Sequence, residues 1–334
     1  MLPTAAIIDA TGLRLTPQEK ALFRELDPFG FILFARNIDT PAQVRALCDE
    51  MREAVGRDAL ITVDQEGGRV QRLQPPVWRA WPAPLDVVTA AGLEAPRALY
   101  VMYRLIADEL YSLGIDSNCA PVLDLVTDAT HPFLKNRCYG SDPTRVAELG
   151  RAVATALLAG GVLPVMKHMP GHGRTVINSH HALPRVDTPL DVLQATDFLP
   201  FKELRDLPMG MTAHQVFSAV DDHAATHSEA MIKLIREVIG FENLIMTDDS
   251  AMEALEGSPA SRAQAAIAAG VDIVLHCNAP LVDRRAVCTA AGEMSPPAQA
   301  RAAQALALRR RPDEIDIPAL EREFDALMSG AVDG

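Results

Sequence analysis

The chain has no Cys-x-x-Cys pair, and its five cysteines, at positions 48, 119, 138, 277 and 288, are odd in number and widely separated. That pattern argues against a disulfide framework and for a reducing compartment. It also lacks an apolar run fit to span a bilayer, since the longest, residues 152–166, is broken by Gly160-Gly161 and Pro164. There is no long basic tract. With 31 basic against 44 acidic side chains the net charge is −13, which repels polyanions and speaks against general nucleic-acid binding. No basic and apolar leader with a cleavage site opens the sequence, so a cytoplasmic protein without a membrane partner is expected. Low-complexity segments and internal sequence repeats are absent, and the short Arg309-Arg310-Arg311 run reads as a solvated helix end.

What is present is an alternation. At 334 residues and 49% apolar side chains the chain can bury a large core. Eight short apolar runs recur, at 5–9, 30–36, 60–64, 115–122, 162–168, 209–214, 244–248 and 271–276. Between them lie segments of helical spacing, among them 41–55, 96–113, 144–158, 228–239 and 261–269. Eight strands alternating with helices predict an α/β fold, a closed (β/α)8 barrel, with residues 1–334 forming one domain. Most runs end on a polar residue: Asp9, Arg36, Asp64, Lys167 with His168, His214, Asp248 and His276. In such a barrel the strand C-termini form the catalytic face, so these groups should converge there. The interval from Asp64 to Ile115, rich in Pro and Trp at its start, is expected to overhang that face or to form a packed crossover.

The densest chemistry is Lys167-His168-Met169-Pro170-Gly171-His172-Gly173, followed by Ser179-His180. Structural loops rarely gather so many groups able to hold a proton near neutral pH. Gly171 and Gly173 are expected to make the loop that carries His180 mobile. Asp248, nearest the strand in Thr-Asp-Asp-Ser, is assigned to chemistry, and Asp249 to support or to capping the next helix. Asp64 and Glu66, with Arg69 and Arg72 close by, look suited to gripping hydroxyl groups, though a structural ion-pair cluster would have the same letters. His168, His172, His180 and His181 raise a metal site as an alternative. The adjacent Lys167, the absence of a His-x-His strand end and of a His-Glu-x-x-His helix weigh against it, so no metal and no organic cofactor are expected.

Taken together, Lys-His-Met-Pro-Gly-His-Gly at 167–173, Ser-His at 179–180, Asp-Gln-Glu-Gly-Gly-Arg-Val at 64–70, Lys-Asn-Arg-Cys-Tyr-Gly at 135–140 and Thr-Asp-Asp-Ser-Ala-Met at 247–252 resemble glycoside hydrolase family 3. The likeness is to its single-domain bacterial β-N-acetylglucosaminidases of peptidoglycan recycling, and it runs from about residue 29 to about residue 278. It implies a retaining exo-glycosidase in which Asp248 attacks the anomeric carbon and His180 protonates the leaving oxygen, then activates water. By the same resemblance Asp64, Arg72, Arg137, Lys167 and His168 would hold the sugar, with His214 and Arg69 as near neighbours. The implied partner is a small carbohydrate, a muropeptide or disaccharide ending in 1,6-anhydro-N-acetylmuramic acid, and a monomer is expected.

One position departs from that pattern. The family places an aspartate two residues before the acid-base histidine, whereas this chain has Asn178. Asparagine can accept the imidazole N–H but brings no charge, so weaker acid-base catalysis is expected. Two alternatives stay open: a catalytically weak or silent sugar-binding homologue, and a family 3 glucosidase or phosphorylase.

Overall fold

The computed structural model describes residues 2–175, 183–252 and 254–330. Eight parallel strands wind in chain order: β1 (Thr4–Asp9), β2 (Pro28–Leu33), β3 (Leu60–Val63), β4 (Ser117–Asn118), β5 (Leu163–Met169), β6 (Met209–Thr212), β7 (Leu244–Thr247) and β8 (Val274–His276). Each pairs with the next up to β7, and β8 pairs with β1. The remaining seam is closed by a parallel bridge between Met246 and Ile273. There, side chains supplement a sparse ladder: the Leu275 N–H donates to Thr247 Oγ1 at 2.9 Å, and the Ile245 N–H to Asp272 Oδ2 at 2.9 Å. The result is a (β/α)8 barrel, as the alternation predicts.

The local reasons are legible. Every residue of all eight strands is buried, as befits a sheet covered on its outer face by helices and filled within by side chains. Six of the described helices begin with one device. Thr16, Thr40, Asp142, Ser258, Ser295 and Asp316 each accept the backbone N–H three residues on, and each precedes a proline in the first turn. The cap satisfies an otherwise orphan donor, and proline has no N–H to lose there. Helix Pro41–Val55 then stops at Gly56, whose φ of 68° is left-handed.

Three expectations need adjustment. The run 30–36 leaves the barrel at Leu33, and Arg36 lies in a 3-10 turn, Ala35–Asn37, where it pairs with Asp9 and donates to Asn278 Oδ1 at 2.6 Å. Of the run 115–122 only Ser117–Asn118 is regular strand, because Asn118 turns its side-chain amide to the Gln65 backbone and the ladder breaks. Arg309 is no solvated helix end: it is largely buried and pairs with Asp116 at 2.6 Å and Asp58 at 3.3 Å. The interval after Asp64 combines both expected forms, a loop followed by helices Pro84–Ala91 and Ala95–Ser112. Among the described residues no helix is long and apolar enough to cross a membrane.

Asp9, fully buried at the end of β1, meets Arg284 at 2.8 Å, and Arg284 also reaches Glu19 at 3.3 Å. Removing the cation leaves buried carboxylates underpaired, a change that typically costs about 3–5 kcal/mol. Arg284→Met is therefore expected to lower the unfolding free energy by that amount in urea titrations; a loss below about 1 kcal/mol would show that Arg36 alone neutralises Asp9.

Candidate active site

At the C-terminal rim of the barrel a cavity of about 270 Å³ is lined by Asp64, Arg69, Arg72, Arg137, Lys167, His168, His172, Asp248 and Asp249, with Phe34, Phe133 and Met211 among its apolar walls. That volume lies just below the range of about 300–1,000 Å³ for drug-sized ligands, which suits a single sugar ring.

Two buried amides fold the loop after β3. Gln65 Oε1 accepts the N–H groups of Arg72 and Leu73 at 2.8 and 3.1 Å, while its own N–H donates to Asn118 Oδ1 at 3.0 Å. The turn between needs Gly67 and Gly68, whose φ values are +102° and +58°; a Cβ on Gly67 would collide with the Pro82 carbonyl oxygen. The chain thus returns on itself and sets Arg72 Nη2 3.1 Å from Asp64 Oδ2. From β5, Lys167 Nζ reaches Asp64 Oδ1 at 2.8 Å and Glu66 Oε1 at 2.6 Å. Arg137 grips Glu66 with two bonds of 2.8 Å. Glu66 is fully buried and saturated by these cations, so it does not face a ligand as Asp64 does; its place is beneath the floor. Here the structural ion-pair reading holds for Glu66.

Burial alone would raise the carboxyls of Asp64 and Glu66, but Lys167 with Arg72, and Arg137 with Lys167, hold both below the usual carboxylate range. Burial likewise works against the Lys167 charge, and Asp64 and Glu66 overcome it and raise the ammonium above its ordinary value. Asp64 therefore presents fixed acceptors, and Arg72 and Lys167 fixed donors, to hydroxyl groups.

Asp248 follows β7 and keeps about a quarter of its side chain exposed. Its Oδ1 accepts the Asp249 N–H at 2.7 Å, and its Oδ2 lies 3.9 Å from His168 Nε2. Burial raises its carboxyl, yet His168 and His214 outweigh this and leave it below its ordinary value, ionised and suited to nucleophilic attack. His214 does not line the cavity. Its Nε2 meets the Asp249 carbonyl at 3.0 Å and its Nδ1 the Thr226 hydroxyl at 2.8 Å, so it braces the backbone behind Asp248. Asp249 accepts the N–H groups of Ala251 and Cys277 at 2.9 and 3.1 Å, the supporting part expected of it.

Sequence reasoning misses Asp124. Fully buried after β4, it accepts the backbone N–H groups of His168 and His172 at 3.1 and 2.7 Å and holds His168 Nδ1 at 2.7 Å. A single carboxylate inside the apolar stretch 122–126 is the available signal. Burial raises it, but His168 draws it down to about 2.

The sequence-predicted residues Asp64, Arg72, Arg137, Lys167, His168 and Asp248 meet around this one cavity, and Arg69 joins them, stacked with its guanidinium carbon 3.4 Å from the Phe133 ring centre. Asp9 and Arg36 are used up in the rim pair described above, and His276 turns to Ser250 at 3.0 Å. Asn178 and His180 lie outside the described residues, as does His181. The part of the loop that carries His180 lies outside the described residues, and Gly171 and Gly173 themselves sit in the well-packed segment before it. A Cβ on Gly173 would collide with the Leu125 carbonyl oxygen, and one on Gly171 would sit 3.0 Å from Asp197 Cβ, so both serve close packing. Thr130 donates to the Gly173 carbonyl at 2.5 Å, Arg174 pairs with Asp197 at 2.8 Å and Thr175 donates to Gln215 at 2.8 Å, which pins the segment through Thr175. Among the described residues no group of three or more His, Cys, Asp or Glu could hold a metal ion.

Residues 11–305 match the N-terminal domain of glycosyl hydrolase family 3, which makes the protein a glycoside hydrolase. The chain belongs to that family. It is 37% identical over 288 residues to the beta-hexosaminidase of Bordetella avium, a match covering 83% of this chain and 81% of that protein. In three dimensions it is similar to NagZ from Neisseria gonorrhoeae, with a TM-score of 0.84 at 30% identity, covering 100% of this chain and 99% of that one. The structure of that protein in complex with N-trifluoroacetyl-D-glucosamine is matched at a TM-score of 0.83, 30% identity, and 98% and 96% coverage.

Burial raises the Asp249 carboxyl to about 6, so between about pH 4 and pH 6 the folded state binds more protons than the unfolded one and stability falls as pH rises. The Asp249→Asn variant would keep the acceptor for Ala251 and Cys277 without the charge. The unfolding free energy of wild type relative to that variant should therefore decline across that window; a flat difference would contradict the raised value.

Proposed function

We propose that the protein is a retaining exo-β-N-acetylglucosaminidase acting on small peptidoglycan-derived fragments, of the type N-acetylglucosamine linked to 1,6-anhydro-N-acetylmuramic acid. One observation carries the reading: an ionised Asp248 opens onto a ring-sized cavity whose floor is the Asp64, Arg72 and Lys167 array. In this mechanism the array binds the hydroxyls of the terminal sugar, Arg137 and His168 complete the pocket, and Asp248 displaces the leaving group to form a covalent glycosyl-aspartate. His180 supplies the proton to the leaving oxygen and then takes one from water, with Asn178 as its weakly supporting neighbour. The names of the similar hexosaminidase and NagZ proteins support the sugar and the reaction class. The five buried, unpaired cysteines support a reducing, cytoplasmic setting. A monomer fits the proposal, because every group that it uses comes from one chain.

Asp248→Ala should reduce hydrolysis of an aryl β-N-acetylglucosaminide by at least about 10⁴-fold, on the scale seen when a hydrolase loses its nucleophile. An activated fluorinated N-acetylglucosaminyl donor should add one glycosyl mass to Asp248 in the wild-type protein. Undiminished cleavage without the carboxylate would overturn the assignment of Asp248 as nucleophile, whereas a wild type that neither cleaves nor forms an adduct would leave the silent-binder reading in its place. The departure at position 178 gives a separate expectation. Asn178→Asp should raise the rate by roughly 10- to 10⁴-fold, more for a poor leaving group than for nitrophenol, and an unchanged rate would refute this account of Asn178.

A further inference from the structure

On the glycosidase reading, Asp124 has a part beyond bracing the loop. Held ionised by the His168 imidazole, it can only accept hydrogen bonds. Its Oδ1 is already taken by two backbone N–H groups, those of His168 and His172, while Oδ2 faces His168 Nδ1 at 2.7 Å. Nδ1 must therefore carry a hydrogen, and the neutral ring is left with its lone pair on Nε2. That second nitrogen points into the cavity, 3.9 Å from Asp248 Oδ2. The separation is too long for a direct hydrogen bond but lets one oxygen of a bound sugar touch both atoms.

We propose that Asp124 is a positioning residue for the reaction: it locks the ring orientation and the Nδ1–H tautomer of His168, so that Nε2 is the atom presented to the sugar and to Asp248. The carboxylate works through the imidazole and touches no substrate itself. The other groups around the ring are Lys167 beside it in the chain, His172 with its ring centre 5.4 Å away, Asp248 on the Nε2 side, and His214 close enough to act on it electrostatically. The group at hydrogen-bond distance from Nδ1 is the Asp124 carboxylate, so the tautomer falls to Asp124.

The test is Asp124→Asn. Its carbonyl oxygen can keep the two backbone donors at the Oδ1 position, because an NH₂ there would face two N–H groups. The NH₂ then faces Nδ1, which becomes an acceptor, and the proton moves to Nε2. Multiple-bond ¹H–¹⁵N spectra should show neutral His168 protonated on Nδ1 in wild type and on Nε2 in the variant. Hydrolysis of an aryl β-N-acetylglucosaminide should fall about 10- to 100-fold in kcat/KM, the scale typical of groups that orient a functional histidine. In a His168→Gln background the same substitution should cost less than about 3-fold, since coupled residues are not additive. Equal losses in both backgrounds would mean that Asp124 serves only the backbone of the loop and would overturn the proposal. So would wild-type His168 protonated on Nε2 alone, a measurement that stands even if the variant fails to fold. If wild type hydrolyses no glucosaminide, the functional reading fails, while the spectra and the same cycle run on N-acetylglucosamine binding still decide the role of Asp124.

Discussion

The ammonium of Lys167, buried between Asp64 and Glu66, is the interaction on which the rest of the site depends. A lone charge in that place would not survive desolvation, and the ammonium and the two carboxylates help to hold one another ionised. Around the trio each further group has its position fixed by a charge: Arg72 on Asp64, Arg137 on Glu66. The cluster joins β3, β5 and the loop before helix Pro143–Ala159, so the pocket floor is also a tie between distant parts of the barrel. Preorganised donors and acceptors of this kind need no rearrangement when a sugar arrives, which is where barrel enzymes gain much of their effect.

A second row of charges stands at right angles in function. Asp124, His168 and Asp248 form a carboxylate, imidazole, carboxylate sequence leading from the buried interior to the cavity. On the proposed function the first row would hold a polyhydroxylated ring, and the second would act on the group that attacks it. Lys167 and His168 are neighbours in the chain, and through them both rows hang from the end of β5.

Much of this is legible in the sequence, and for a physical reason. Parallel barrel strands are buried on both faces, so they appear as unbroken apolar runs, and their polar last residues mark the catalytic rim. Asp64, Lys167, His168 and Asp248 are found in that way. Periodicity fails where side chains interrupt the ladder: Asn118 ends β4 early because its amide bonds to Gln65, and Arg36 leaves β2 to pair with Asp9. Asp124 escapes notice because a single carboxylate among apolar residues looks like a strand edge until its histidine is seen beside it. Glu66 reads as a ligand-facing group since the sequence cannot distinguish a carboxylate above the floor from one below. Gly171 and Gly173 are ambiguous for a related reason: glycine can mean freedom or tight contact, and at these two positions the neighbouring Leu125 carbonyl and Asp197 show tight contact.

The seam between β7 and β8 has a single ladder bridge, supplemented by the hydroxyl of Thr247, the carboxylate of Asp272 and, past the strand ends, the Ser250 N–H on the Leu275 carbonyl at 2.9 Å and the Cys277 N–H on Asp249. Asp248 is the next residue after that hydroxyl. Any breathing of the wall at this point would carry the Asp248 carboxylate along with it, so the stiffness of this seam would set how steadily the proposed nucleophile is aimed.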